Sequence, residues 1–447
     1  MVDGAIDRIE RVNPELNAVI IPLFEQARAE AAGDLPDGPF RGVPFLFKDL
    51  SGVRAGDPYH MGNLGLKELD HHATVTTSFA RRIVDAGFVT VGKTNTPELG
   101  SLPTTEPVAY GPTHNPWNPE HSPGGSSGGS AASVAAGLVP VASAGDGGGS
   151  IRIPAAACGL VGLKPSRGRV STAPAGEVWA GAAIELVVSR SVRDTAALLD
   201  VAAGPELGDR YAMPAPASPY LDLVGADPGP LRVGLTPGLD GVPIDAEVAE
   251  AVTSTGQLLE QLGHRVDVDQ PAALAEGDPD RNFSRVLAAA TALDFDHLAE
   301  IIGRPLTEND VESTNWWFAE YGRKLSATEY LHAREWWDNL GLRMAQWWAA
   351  GHDILVTPTL TRTATPLGWF DDRATSGDRI RSLIPYTWPF NVTGQPAISV
   401  PLHHSSDGFP IGVQLVAAPG REDLLIQLAA QLEQAQPWGG RRPPIHA

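Results

Sequence analysis

Apolar positions recur at helical spacing over residues 3–12 and 22–31, and a strand-like run at 16–21 lies between them. VPFLFKDL, residues 43–50, is apolar apart from one lysine–aspartate pair, and FVTVG, 88–92, has the length and composition of a buried strand. Between them TVTTSFARRIVDAG, 74–87, is amphipathic and closes on glycine, as helices commonly do. LVPVASA, 138–144, predicts a strand between two glycine-rich turns. LRVGLTP at 231–237, a helical pattern over 245–262 and HRVDV at 264–268 make a strand–helix–strand unit. Strands are predicted again over 353–359, 397–403 and 412–418, before a closing helix at 423–434. Residues 272–352 are helical in pattern and hold six of the eleven tryptophans as adjacent pairs at 316–317, 336–337 and 347–348. This stretch reads as a helical region bordering a site. Helices alternating with strands predict an α/β protein: one large domain over 1–447, with a central mixed, twisted sheet covered by helices on both faces. No repeat is visible, and no polar linker is long enough to divide the chain.

Composition narrows the function classes. Lys+Arg number 33 against 53 Asp+Glu, a formal charge of −20, which argues against nucleic acid or an anionic membrane as partner. A single cysteine, Cys158, excludes an internal disulfide framework and a thiolate zinc site, is read as a small core residue, and points to a reducing, cytoplasmic setting. The first residues lack the charged and apolar regions of a signal peptide. The uncharged stretch 121–145 contains six serines and six glycines, so it predicts no membrane span. The twelve histidines fall in no metal-binding spacing; neither metal nor cofactor is called for.

Two short motif matches fail on context. GFVTVGKT, 87–94, fits the phosphate-binding pattern G-x-x-x-x-G-K-[ST], yet a helix precedes its first glycine and a strand fills the interior where the phosphate loop should be. GGSSG, 124–128, fits the nucleophile elbow G-x-S-x-G, but that serine must follow a strand, and NPWNPEHSP precedes this one.

The same glycine-rich segment nevertheless carries chemistry. SPGGSSGGSAASVAAG has the composition of a flexible linker, but strand-like and alanine-rich segments continue directly from it. Twenty-four residues after Ser126 a second turn, AGDGGGSIRIPA, presents Ser150 behind three glycines. Consecutive glycines allow several N–H groups to converge on one point, as an oxyanion hole requires. A serine nucleophile needs a base, and no histidine has an obvious place here. The chain uses lysine only five times, so Lys48 inside PFLFKDL suggests a required amine. Arginine keeps its proton, whereas a desolvated lysine can fall far below its ordinary value of about 10.4. The bland alternative for Lys48 is an ion pair with Asp49 at a strand end.

FKD at Lys48, GKTNTPE (92–98), NPWN (115–118), PGGSSGGS (123–130), DGGGSIRIPA (146–155) and CGLVGLKPSRGR (158–169) together resemble the amidase signature family. SRSVRD (189–194), the VTPT turn and NVTGQPAISVP (391–401) extend the resemblance over nearly the whole chain. Within the family, TTEP (104–107), IIGRPLTENDVE (301–312) and SSDGFPIGVQLVAAPGREDLL (405–425) look most like bacterial 6-aminohexanoate cyclic-dimer hydrolases. The resemblance implies Ser150 as nucleophile, Ser126 as a bridging serine after a cis peptide bond, and Lys48 as the neutral amine that takes the proton. It implies an oxyanion hole from the backbone N–H groups of Gly147, Gly148, Gly149 and Ser150, and hydrolysis of an amide through an acyl-enzyme. Ser127 and Asp146 are expected to tie the two turns together, and Arg152 to pair with a carboxylate. The resemblance brings the segment after PELG, Ser101 included, near the acyl group. The paired tryptophans offer Trp316 or Trp317 as lining for an apolar pocket, although aromatics at helical spacing more often pack into a core.

The chain departs from the family pattern at Gly145 and Gly147, where relatives usually carry Ser/Thr and Thr/Ile, which predicts a looser turn. Members also commonly carry a further segment before the first helix. The implied partner is a small-molecule amide, and a homodimer is compatible with the resemblance. Two rival readings are the glutaminase subunit of a tRNA-dependent amidotransferase and an inactive binding protein on the same scaffold.

Overall fold

The computed structural model describes residues 1–447. Eleven strands occur in chain order: β1 (Val19–Pro22), β2 (Pro44–Lys48), β3 (Val89–Thr94), β4 (Val141–Asp146), β5 (Val161–Lys164), β6 (Ile184–Ser189), β7 (Arg232–Leu235), β8 (Arg265–Asp267), β9 (Ile354–Pro358), β10 (Ala397–His404) and β11 (Pro410–Ala417). All belong to one sheet, in the order β1-β3-β2-β4-β6-β5-β10-β11-β9-β7-β8. β2 runs parallel to β3 and β4, and β7 runs parallel to β8 and β9; the remaining pairs are antiparallel. The sheet is therefore mixed, and helices flank it as the alternating pattern predicts. β2, β3, β5, β9 and β11 are buried at every position, which explains why β2 and β9 read as apolar runs rather than as alternating ones.

Local chemistry moves several boundaries. The strand predicted over 138–144 begins three residues later, because Gly137 turns the chain at φ +77° after the helix Gly128–Ala135. That shift carries the strand on to Asp146, at the edge of the second glycine turn. The helix predicted from 74 starts at Ser78, where the Thr77 hydroxyl accepts the Ala80 N–H as an N-cap. β5 and β6 give no clear strand signal: β5 is four residues long with a glycine inside, and Glu185 interrupts the apolar run of β6. The match at 87–94 is a turn and the buried strand β3, paired on both sides. The region 272–352 contains the helices Ala272–Glu276, Asn282–Ile302, Ser313–Lys324 and Ala327–Ala349.

Candidate active site

Three segments converge where β2 and β4 lie side by side. β2 delivers Lys48 at its last position, and the Lys48 backbone N–H donates to Ser143 Oγ on β4 at 2.7 Å. Its side chain is 1% exposed, and Nζ lies 2.7 Å from Oγ of Ser126. The peptide bond between Gly125 and Ser126 is cis, as the resemblance implied. Burial pulls the Lys48 amine down to about 7, against the opposing pull of Glu185 and then Asp146. The alternative ion pair with Asp49 does not form. Asp49 instead holds Lys93 at 2.8 Å and accepts the His60 N–H, leaving the Lys48 amine to the serine.

The Ser127 hydroxyl fastens one turn to the other, at 3.3 Å from both the N–H and the carbonyl of Gly145. Asp146, at the end of β4, organises the second turn. Its carboxylate accepts the N–H groups of Gly149 at 2.7 Å and Ile151 at 3.2 Å. Arg152, fully buried, donates to it through Nε at 2.9 Å and Nη2 at 3.0 Å. Burial alone would raise this carboxyl; Arg152, with Lys164 and Asn391, brings it down to about 2. Arg152 reaches further, to the Thr387 carbonyl, Gln414 and Asn391. The pair thus ties the turn to β11 and to the helix Trp388–Thr393.

This arrangement changes the expected oxyanion hole. The Gly149 N–H is taken by Asp146, so it is unavailable to a substrate oxygen. The N–H groups of Gly147, Gly148 and Ser150 have no protein acceptor. Nor is the glycine turn loose. A methyl group added at Gly147 would lie 2.5 Å from the Trp179 ring, at Gly148 3.3 Å from Phe283, and at Gly149 2.6 Å from Ile153 and from Thr387.

Ser150 opens into a chamber of about 310 Å³, whose walls include Gly100, Ser101, Trp179, Phe283, Asn315 and Trp388. A cleft of about 610 Å³, which shares Arg281, Thr314, Phe318 and Arg381 with it, continues outward. The Ser101 wall is held by buried Glu98, whose carboxylate accepts from Asn63, from the Glu312 N–H and from Asn315. The helical region thereby borders the chamber.

A family model for amidases matches residues 1–426. The chain belongs to the amidase signature family. It is 46% identical over 459 residues to the 6-aminohexanoate-cyclic-dimer hydrolase of Paenarthrobacter ureafaciens, covering all of this chain and 93% of that protein. It is 45% identical to the enzyme of the same name from Pseudomonas sp. (strain NK87), again over 100% and 93%. The solved structure of a 6-aminohexanoate cyclic dimer hydrolase complexed with substrate superposes with a TM-score of 0.95 at 45% identity, covering 100% of this chain and 95% of that one. This amidase is therefore a hydrolase of amide C–N bonds. None of its helices is long and apolar enough to cross a membrane.

Of the residues expected at the site, Lys48 and Ser126 are in contact, Ser127, Asp146 and Arg152 hold the turns, and Ser101 and Ser150 share the chamber. Trp316 does not. It packs beside Leu66, Leu99 and Phe295, its ring 6.2 Å from that of Phe295, so its apolar area is spent on a small core beneath the helical region. Its neighbour Trp317 is 60% exposed on the outer cleft. Cys158 is buried core, and burial raises its thiol.

Three participants escape sequence reasoning. Gly100, at φ +69°, approaches so closely that an added Cβ would lie 3.2 Å from Ser126 Oγ. Glu185 stands opposite Gly145 in the β4–β6 ladder, with one carboxylate oxygen taking the Gly52 N–H at 3.3 Å and the other unpartnered. Burial raises it to about 7, against that N–H and Lys48. Trp179 comes from the loop before β6, a segment with no motif. Only Glu185 left a trace in the sequence, as a lone charge in an apolar run.

Proposed function

We propose that this enzyme hydrolyses small-molecule amides, cyclic 6-aminohexanoate-type amides among them, through an acyl-enzyme on Ser150. Neutral Lys48 draws the proton from Ser126, Ser126 draws that of Ser150, and Ser150 Oγ attacks the carbonyl carbon. Gly147, Gly148 and Ser150 N–H groups receive the developing oxyanion. The proton returns along the relay to the leaving nitrogen, the C–N bond breaks, and water releases the acyl group by the reverse path. The observation that carries this reading is the buried amine 2.7 Å from Ser126 Oγ, in a site where burial brings that amine near neutrality. The substrate class rests on the cyclic-dimer hydrolases at 45–46% identity. The amidotransferase subunit from Thermotoga maritima is 25% identical, so the glutaminase reading has less support.

The test is intact-mass analysis after treatment with a fluorophosphonate. A single adduct that is lost in Ser150→Ala and forms slowly in Lys48→Ala is expected. An adduct that persists in Ser150→Ala overturns the assignment.

A further inference from the structure

The loop between β5 and β6 folds back over the nucleophile's turn. Within it Trp179 and Ala180 both adopt left-handed backbone, at φ +49° and +54°, a conformation rare for residues with side chains. Two such residues in succession persist only where their surroundings fix them. Here they are fixed from several sides. Arg167 Nε donates to the Gly181 carbonyl at 2.6 Å, Arg334 to that of Ala180 at 3.3 Å, and Asn391 to that of Ala182 at 3.1 Å. Arg334 comes from the helical region, and Asn391 also holds Asp146, so the turn is bound to the frame that sets the nucleophile.

What this frame aims is the Trp179 ring, whose Cε3 and Cζ3 edge lies against Gly147. A Cβ at residue 147 would stand 2.5 and 2.7 Å from those atoms, distances that real Cβ atoms do not reach. Any side chain at 147 therefore requires the indole to leave. Phe283 closes the adjoining side, 3.3 Å from where a Cβ at Gly148 would be and 5.4 Å ring to ring from Trp388. Trp179, Phe283 and Trp388 all line the Ser150 chamber.

We propose that Trp179 is the residue that limits acyl bulk in this enzyme: its ring, seated against glycine at 147, forms a chamber wall that admits unbranched chains and turns away branched or aryl acyl groups. Glycine at 147 and tryptophan at 179 then form a matched pair, and the missing side chain at 147 is the room that the indole needs. The proposal rests on Ser150 being the nucleophile.

The test compares labelling rates of Ser150 with two fluorophosphonates, one bearing a straight alkyl chain and one a cyclohexyl group, by intact mass. The bulky-to-slender rate ratio is expected to rise by about tenfold or more in Trp179→Ala, the order of discrimination an apolar pocket supplies. Trp179→Phe should keep a ratio near that of the parent. Gly147→Ala, which unseats the indole, should raise the ratio even where it slows both reactions, and adding it to Trp179→Ala should change the ratio no further. An unchanged ratio in Trp179→Ala, or independent effects in the double variant, overturns the proposal. If Trp179→Ala fails to fold, Trp179→Leu and Gly147→Ala carry the same comparison. Absence of any Ser150 adduct in the parent overturns the nucleophile assignment, and this proposal with it.

Discussion

Lys48 Nζ and Ser126 Oγ stand 2.7 Å apart, and the carboxylate next to that lysine in the chain is turned away to Lys93. An amine with a hydroxyl for its partner and no salt bridge loses its proton far more readily than a paired one. Replacing Lys48 by Met, similar in length but without the amine, should lower the rate of Ser150 labelling by about 10²–10⁴. Ser126→Ala should do the same, and the double variant should be scarcely slower than either single one, since both break one relay. Additive losses would show that the two act separately.

The relay also predicts a pH dependence. In the proposed relay the working form of the Lys48 amine is neutral, so the labelling rate should climb as pH rises through about 7 and then level off. Glu185, itself about 7, favours the protonated amine, and the two titrate together. Glu185→Gln removes that negative neighbour, lowers the Lys48 value and moves the climb to lower pH. Rate-versus-pH curves for parent and variant decide this; superposable curves would exclude Glu185 from setting the amine.

Asp146 and Arg152 predict stability rather than rate. Asp146 is held at about 2, below the ordinary carboxylate range, so its contribution is complete at neutral pH and disappears as pH falls through about 2. Asp146→Asn would leave the Arg152 guanidinium buried without its anion, at a cost of about 3–5 kcal/mol. Urea unfolding at neutral pH measures this, and a variant within experimental error of the parent would refute it.

Glycines near the site should respond very differently to alanine. A Cβ at Gly125 would lie 2.3 Å from the Thr104 carbonyl oxygen and 2.6 Å from its nitrogen, both rigid backbone. At Gly145 the nearest atom is 3.5 Å away, on Ser51. Gly125→Ala should therefore cost about 1–3 kcal/mol or more and abolish labelling, while Gly145→Ala should leave the melting temperature nearly unchanged. Equal melting temperatures would contradict this reading of the packing.

The sequence by itself determined the alternation of strands and helices, the two glycine turns that carry Ser126 and Ser150, and the lysine in an apolar strand. Those signals are local: a buried strand must be apolar, and a turn that gathers N–H groups needs glycine, wherever the rest of the chain goes. Tertiary structure decided what lies between segments far apart in the chain. It gave Asp49 to Lys93, spent the Gly149 N–H on Asp146, placed Glu185 beside the amine, and put Trp316 into a small core while Trp179 became the chamber wall. The apparent looseness of Gly147 disappears for the same reason: a glycine reads as freedom in one dimension, and only packing shows that a ring from another loop fills its space. Helical spacing places a tryptophan on a buried face, but which neighbour it meets depends on how distant elements stack, and that is absent from any local window of sequence.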